Sequence, residues 1–121
     1  MGDYVMMNDW QALIDAMNGG VKSLRQGAPT VMKSFGEMAK AAHEGSALEP
    51  KTKELIALAL GVSTRCGPCI AYHAEGAAKA GASRAEVLEA MSMAIYMGAG
   101  PSVMYAAQAL EAFDQLAKSG A

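Results

Sequence analysis

Two cysteines and two histidines are the whole thiol and imidazole inventory of this 121-residue sequence, and three of the four lie together in Cys66-Gly67-Pro68-Cys69 and His73. On a helix turning about 100° per residue, positions 66, 69 and 73 share a sector roughly 60° wide. An i, i+3 spacing on a first turn brings two sulfurs within reach of a disulfide. Cys69 and His73, at i and i+4, are neighbours on the same face. Pro68 marks a helix start, which sets both cysteines at the positive end of the helix dipole, where a thiolate is favoured. Helix N-termini, C-x-x-C spacing and adjacent cations lower cysteine pKa to about 3.5 to 7.5. Arg65 and His73 are such neighbours. Thiolate is the form that attacks a peroxide or a disulfide, so this pattern suits dithiol redox chemistry.

Other readings of the same residues stand beside this one. Cysteine is often simply buried, and two inert core thiols would share this spacing. A zinc site would need four ligands, and with two Cys and two His in the chain it would have to recruit His43, a carboxylate or another subunit. His73 could be a packed histidine without a chemical role. His43, near a helix end beside Glu44-Gly45, reads as a dipole contact. Glu54, by itself, is an ordinary acid in the first turn after Pro50. Met91, Met93, Met97 and Met104 read as gap-fillers in an Ala-rich core before they read as a substrate pocket, and Tyr72, Tyr96 and Tyr105 are assigned no role.

The elements that must position these residues are helical. Alternating runs rich in Val, Ile, Thr or aromatics are absent, while helical periodicity predicts helices at roughly 8–26, 29–43, 50–63, 67–80, 84–98 and 101–118. Pro29, Pro50, Pro68 and Pro101 fall where helices begin, the one turn that tolerates a missing N–H. Ser83-Arg84-Ala85-Glu86 is a capping box, and Gly81 a left-handed stop for the helix before it. Gly19-Gly20 is expected to interrupt the first helix, since each glycine costs about 1 kcal/mol in a helix interior. Leu55 to Val62 is apolar on every side and is expected to form a central helix enclosed by protein.

The length fits one domain, 1–121, with 1–10 as an N-terminal arm. Apolar residues are 52 % of the chain and charged ones 18 %, which leaves apolar surface for self-association. A net charge of −2, with no long run of like charges, disfavours nucleic acid and anionic membrane as partners. Ala90 to Leu110 carries no charge over about the length of a spanning helix, but Gly98, Gly100 and Pro101 break it and two buried helices meeting at a kink are expected instead. Asp3 stands where a secretory signal would be basic, so a cytoplasmic, reducing setting is expected, in which C-x-x-C points to metal binding or redox catalysis.

More specific than C-x-x-C alone is the ordered set Lys51-Thr52-Lys53-Glu54-Leu55-Ile56-Ala57-Leu58-Ala59, Cys66-x-x-Cys69-x-x-x-His73, Ala80-Gly81-Ala82 and Met97-Gly98-Ala99-Gly100-Pro101. Between about Leu48 and Ala117 this set resembles the carboxymuconolactone decarboxylase-like family, in its alkyl hydroperoxidase D-like branch. The resemblance implies a compact all-α bundle of about six helices, a homo-oligomer (trimer or hexamer, the hexamer favoured), and thiol-dependent reduction of small hydroperoxides. It implies no cofactor, and an external dithiol reductant of lipoyl or thioredoxin-like type. It also implies Cys69 as the peroxide-attacking thiol, Cys66 as the resolving thiol, and Glu54 with His73 as a proton relay. The decarboxylases that name the family lack the cysteine pair, so decarboxylation is not implied. Gly67-Pro68 also departs from the founding hydroperoxidase, which carries another histidine between its cysteines. A non-catalytic oligomeric dithiol sensor or interaction module is the alternative function.

Overall fold

The structure, a computed structural model, describes residues 5–118. The described residues form five helices and no strand: α1 (Trp10–Gly27), α2 (Pro29–His43), α3 (Pro50–Ser63), α4 (Gly67–Lys79) and α5 (Arg84–Lys118). The expected count of about six becomes five because 84–98 and 101–118 form one helical run. Its two halves still meet at a break, where Ala99 has φ 56° and ψ −139°, two residues before Pro101. Gly98 permits the break to close tightly, since a Cβ there would lie 2.0 Å from Ser102 Oγ. No helix among the described residues is long and apolar enough to cross a membrane.

Three helices make the core. Leu58 and Val62 of α3, Ile70, Ala71, Ala74 and Ala77 of α4, and Val87, Met91, Ala106, Ala109, Phe113 and Leu116 of α5 are buried together. Alanines along α4 let its neighbours approach closely. Gly61 does the same at the site, where a Cβ would come within 3.4 Å of Cys69 Cβ and of the Ile70 amide. From α1, Trp10 and Ile14 join this core. Glu111 binds the start of α1, accepting from the Met7 amide (2.9 Å), the Asn8 amide (3.1 Å) and the Trp10 indole N–H (2.8 Å). The first four residues of the expected arm, and with them Asp3, lie outside the described residues.

Two expectations about helices need correction. Gly19-Gly20 does not interrupt α1, which runs from Trp10 to Gly27 behind an Asp9 cap. The periodic anchoring of its start to α5 outweighs the modest propensity cost of two glycines. Nor is α3 enclosed on every side within one chain, for Ile56 and Leu60 are 46 % and 58 % exposed. The helix that could cover them, α2, has no buried residue and leaves Val31, Phe35 and Met38 exposed as well.

Local signals otherwise fall as expected. Glu86 Oε1 accepts from the Ser83 amide at 2.8 Å and the Glu86 amide donates to Ser83 Oγ at 3.1 Å, the reciprocal capping box at the head of α5. The Ser83 amide, and then Lys51 at 3.0 Å, hold the Glu86 carboxyl below its ordinary value. Gly81 has φ 87°, and the Ala82 amide reaches back to the Ala77 carbonyl at 2.9 Å to close α4.

Candidate active site

The end of α3 and the start of α4 are joined by a turn that sets the cysteines. The Cys66 amide donates to the Gly61 carbonyl (3.0 Å) and the Arg65 amide to the Val62 carbonyl (3.1 Å), a Schellman closure of α3. Arg65 takes the left-handed position, φ 57°, that glycine usually fills. Cys66 then serves as the N-cap of α4, its sulfur accepting from the Cys69 amide at 3.2 Å. Cys66 and Cys69 are joined as a disulfide with their Cα atoms 5.2 Å apart. Both cysteines are partly exposed on the first turn of α4.

One turn further along α4, His73 meets Glu54 of α3. Its Nδ1 lies 3.0 Å from Glu54 Oε2. A carboxylate only accepts, so Nδ1 carries the hydrogen and Nε2 is left as the nitrogen able to exchange a proton. The side chains of Glu54 and His73 are 16 % and 33 % exposed, a setting half withdrawn from water. Among the described residues no hydrogen bond joins His73 to either sulfur, so the structure brings Glu54 and His73 into one pair and the two cysteines into another on the same stretch of α4.

Two participants were not legible in the residue types. Gly76 is one. A Cβ at that position would lie 2.1 Å from Glu54 Oε2 and 2.7 Å from its Cδ, so the carboxylate occupies the space a side chain would take. The available signal was a glycine inside a helix with no turn to explain it. His43 is the other: its Nε2 lies 3.4 Å from Glu54 Oε1 and its Nδ1 2.7 Å from the Ala39 carbonyl. Those two acceptors, the Ala39 carbonyl first and Glu54 second, raise its pKa above the usual histidine value. The position at the end of α2 agrees with a dipole contact, yet the Glu54 contact crosses between helices and has no local signal. Lys53 fastens it, donating to the carbonyls of His43 (3.2 Å), Glu44 (2.8 Å) and Gly45 (3.2 Å). Among the described residues, no group of three or more His, Cys, Asp or Glu is arranged to hold a metal ion. Glu54 sits between the two imidazoles instead.

The sequence profile of the carboxymuconolactone decarboxylase family matches residues 29–112, a span that holds α2, α3, the cysteine turn, α4 and most of α5. The chain belongs to this family. Members with known structures share the architecture. A carboxymuconolactone decarboxylase family protein from Legionella pneumophila superposes with a TM-score of 0.86 at 42 % identity, covering 89 % of this chain and 96 % of that one. Another, from Thermotoga maritima, superposes with a TM-score of 0.78 at 26 % identity over 90 % and 92 % of the two chains, and an antioxidative role has been suggested for it. Among curated relatives, an uncharacterised protein of Haemophilus influenzae is 43 % identical over 108 residues, which is 89 % of this chain and 96 % of the relative. An uncharacterised protein of Cupriavidus necator is 36 % identical over 111 residues, 92 % and 98 % of the two chains.

Proposed function

We propose that this family member is a cytoplasmic thiol peroxidase that reduces small hydroperoxides with its Cys66/Cys69 pair and is recycled by an external dithiol. The observation that carries the reading is a disulfide bridging the N-terminal turn of α4, with the His73–Glu54 pair one turn away. The Cys69 thiolate attacks the peroxide, and the sulfur's electron pair breaks the O–O bond. Sulfur becomes a sulfenic acid and the other oxygen leaves as an alkoxide. His73 Nε2 takes the thiol proton before attack and returns it to the alkoxide, with Glu54 holding the ring by Nδ1. Cys66 then displaces water from the sulfenic acid to form the disulfide. The dithiol donor reduces that bond by exchange, giving two thiols here and a disulfide on the donor.

Two further features support the assignment. The Cys69 amide directed at Cys66 Sγ favours a thiolate on Cys66, which suits both its attack on the sulfenic acid and its departure during exchange. The uncovered apolar stripe of α2, with Ile56, Leu60, Met93, Tyr96 and Met97 exposed elsewhere, supports self-association, and the family resemblance suggests three or six chains.

The test is peroxide-dependent oxidation of a dithiol donor such as dihydrolipoamide. Turnover is expected in the wild type and is expected to vanish in Cys69→Ser. Cys66→Ser should consume one equivalent of peroxide and keep a sulfenic acid that dimedone traps. Unchanged turnover in both variants would overturn the mechanism, and a disulfide that forms slowly without recycling would point to the sensor reading.

A further inference from the structure

Both ring nitrogens of His43 face acceptors. Nδ1 lies against the Ala39 carbonyl at 2.7 Å and Nε2 against Glu54 Oε1 at 3.4 Å. A carbonyl oxygen cannot donate, so Nδ1 bears a hydrogen. A neutral ring would then turn the Nε2 lone pair on a carboxylate, whereas an imidazolium turns an N–H toward it. The geometry favours the cation. Across the same carboxylate, Oε2 takes the Nδ1–H of His73 at 3.0 Å. One negative charge thus lies between two imidazoles, and it compensates only one cation.

Other charges around His43 do not remove this coupling. From α3 come Glu54 and Lys53, and Lys53 spends its ammonium hydrogens on three backbone carbonyls. Lys40 and Glu44 are its neighbours along the chain, and from α4 His73 meets the other oxygen of the same Glu54 carboxylate. The His43 side chain is 56 % exposed and that of Glu54 16 %, so the imidazole exchanges its proton with solvent while the carboxylate is largely withdrawn from it.

We propose that His43 is a positioning residue of the thiol site: as a cation it neutralises Glu54, and so leaves His73 with an unprotonated Nε2 able to take the thiol proton. Without that cation the carboxylate's whole charge falls on His73, which then holds its own proton more tightly. The purpose of the coupling rests on the peroxidase reading, but its existence is measurable without turnover.

With two histidines in the chain, their ring signals are assigned from His43→Gln and His73→Gln alone. Glutamine keeps an N–H for Glu54 and removes the charge. In His43→Gln the His73 ring signal is expected to move its midpoint to higher pH than in the wild type, because one cation beside the Glu54 carboxylate is gone. The acid limb of peroxide-dependent dithiol oxidation should move by the same amount. Glu54→Gln should lower the His43 titration and erase the difference between His43→Gln and its parent. A His73 titration that stays in place in His43→Gln overturns the proposal, even with normal turnover. Absence of turnover in the wild type would sink the peroxidase reading instead and leave the titration to decide the coupling.

Discussion

Gly76→Ala tests whether a missing side chain on α4 is what gives Glu54 its place. The new Cβ would stand 2.1 Å from Oε2, 2.7 Å from Cδ and 3.3 Å from Oε1. Ordinary carbon–oxygen contact is longer by on the order of 1 Å, so the carboxylate has to retreat about that far. The Glu54–His73 hydrogen bond, 3.0 Å in this structure, cannot survive such a retreat in the present rotamer. Stability should change little. Glu54 is the far end of a flexible, partly exposed side chain that can swing outward, and alanine in a helix interior returns about 1 kcal/mol of propensity. A net change within roughly 1 kcal/mol by urea denaturation is expected. Activity should change much more, since His73, the base that Glu54 holds by Nδ1, loses its orientation, and a misplacement of about 1 Å costs up to roughly 100-fold. The assay is dithiol-dependent peroxide reduction for Gly76→Ala, Glu54→Gln and the double variant. If Gly76 acts only by making room for Glu54, the double variant is no slower than Glu54→Gln. Turnover in Gly76→Ala within about twofold of the wild type would refute the reasoning, because positioning losses of this kind are larger.

The remaining predictions concern the frame around the site. Arg65→Gly should raise stability by about 0.5 to 1 kcal/mol, since a non-glycine residue at φ 57° carries left-handed strain that exceeds glycine's entropy cost. Urea denaturation of the oxidised protein checks it, and a loss would show that the Arg65 side chain contributes more than its backbone costs. Glu111→Ala should destabilise by about 2 to 4 kcal/mol, because the buried Trp10 indole N–H and two arm amides lose a charged acceptor. Trp10 is the chain's single tryptophan, so its fluorescence should shift to the red in the same variant, and an unshifted spectrum would argue that the arm stays docked.

Much of the fold was legible along the chain because its signals are local. Prolines in first turns, the Ser83/Glu86 box and the Gly81 stop each depend on hydrogen bonds made within a few residues, and all three reappear in the structure. The break in α5 was legible too, at Gly98-Ala99-Gly100-Pro101, where the non-helical Ala99 marks the kink between two helical halves of the run. Where a local rule failed, a distant partner was responsible. Gly19-Gly20 stays helical in an α1 whose start at Trp10 is tied down by Glu111, 101 residues away. Ile56 and Leu60 stay exposed because covering α3 needs a surface that the described residues do not bring to it.

The same division runs through the candidate site. Cys66, Cys69 and His73 share one helix, so their spacing alone determined that the sulfurs could bridge and that the imidazole lay one turn on. Glu54 could be named from the order of its motif but not placed from it, since an i, i+4 rule says nothing about a carboxylate on another helix. His43 and Gly76 were decided only by tertiary structure: one imidazole arrives from α2 and one side chain is missing on α4, both on account of the same carboxylate. Helical periodicity orders residues around one axis. The distance between two axes is set by packing, and it is that distance which brings His43 and His73 to the two oxygens of Glu54.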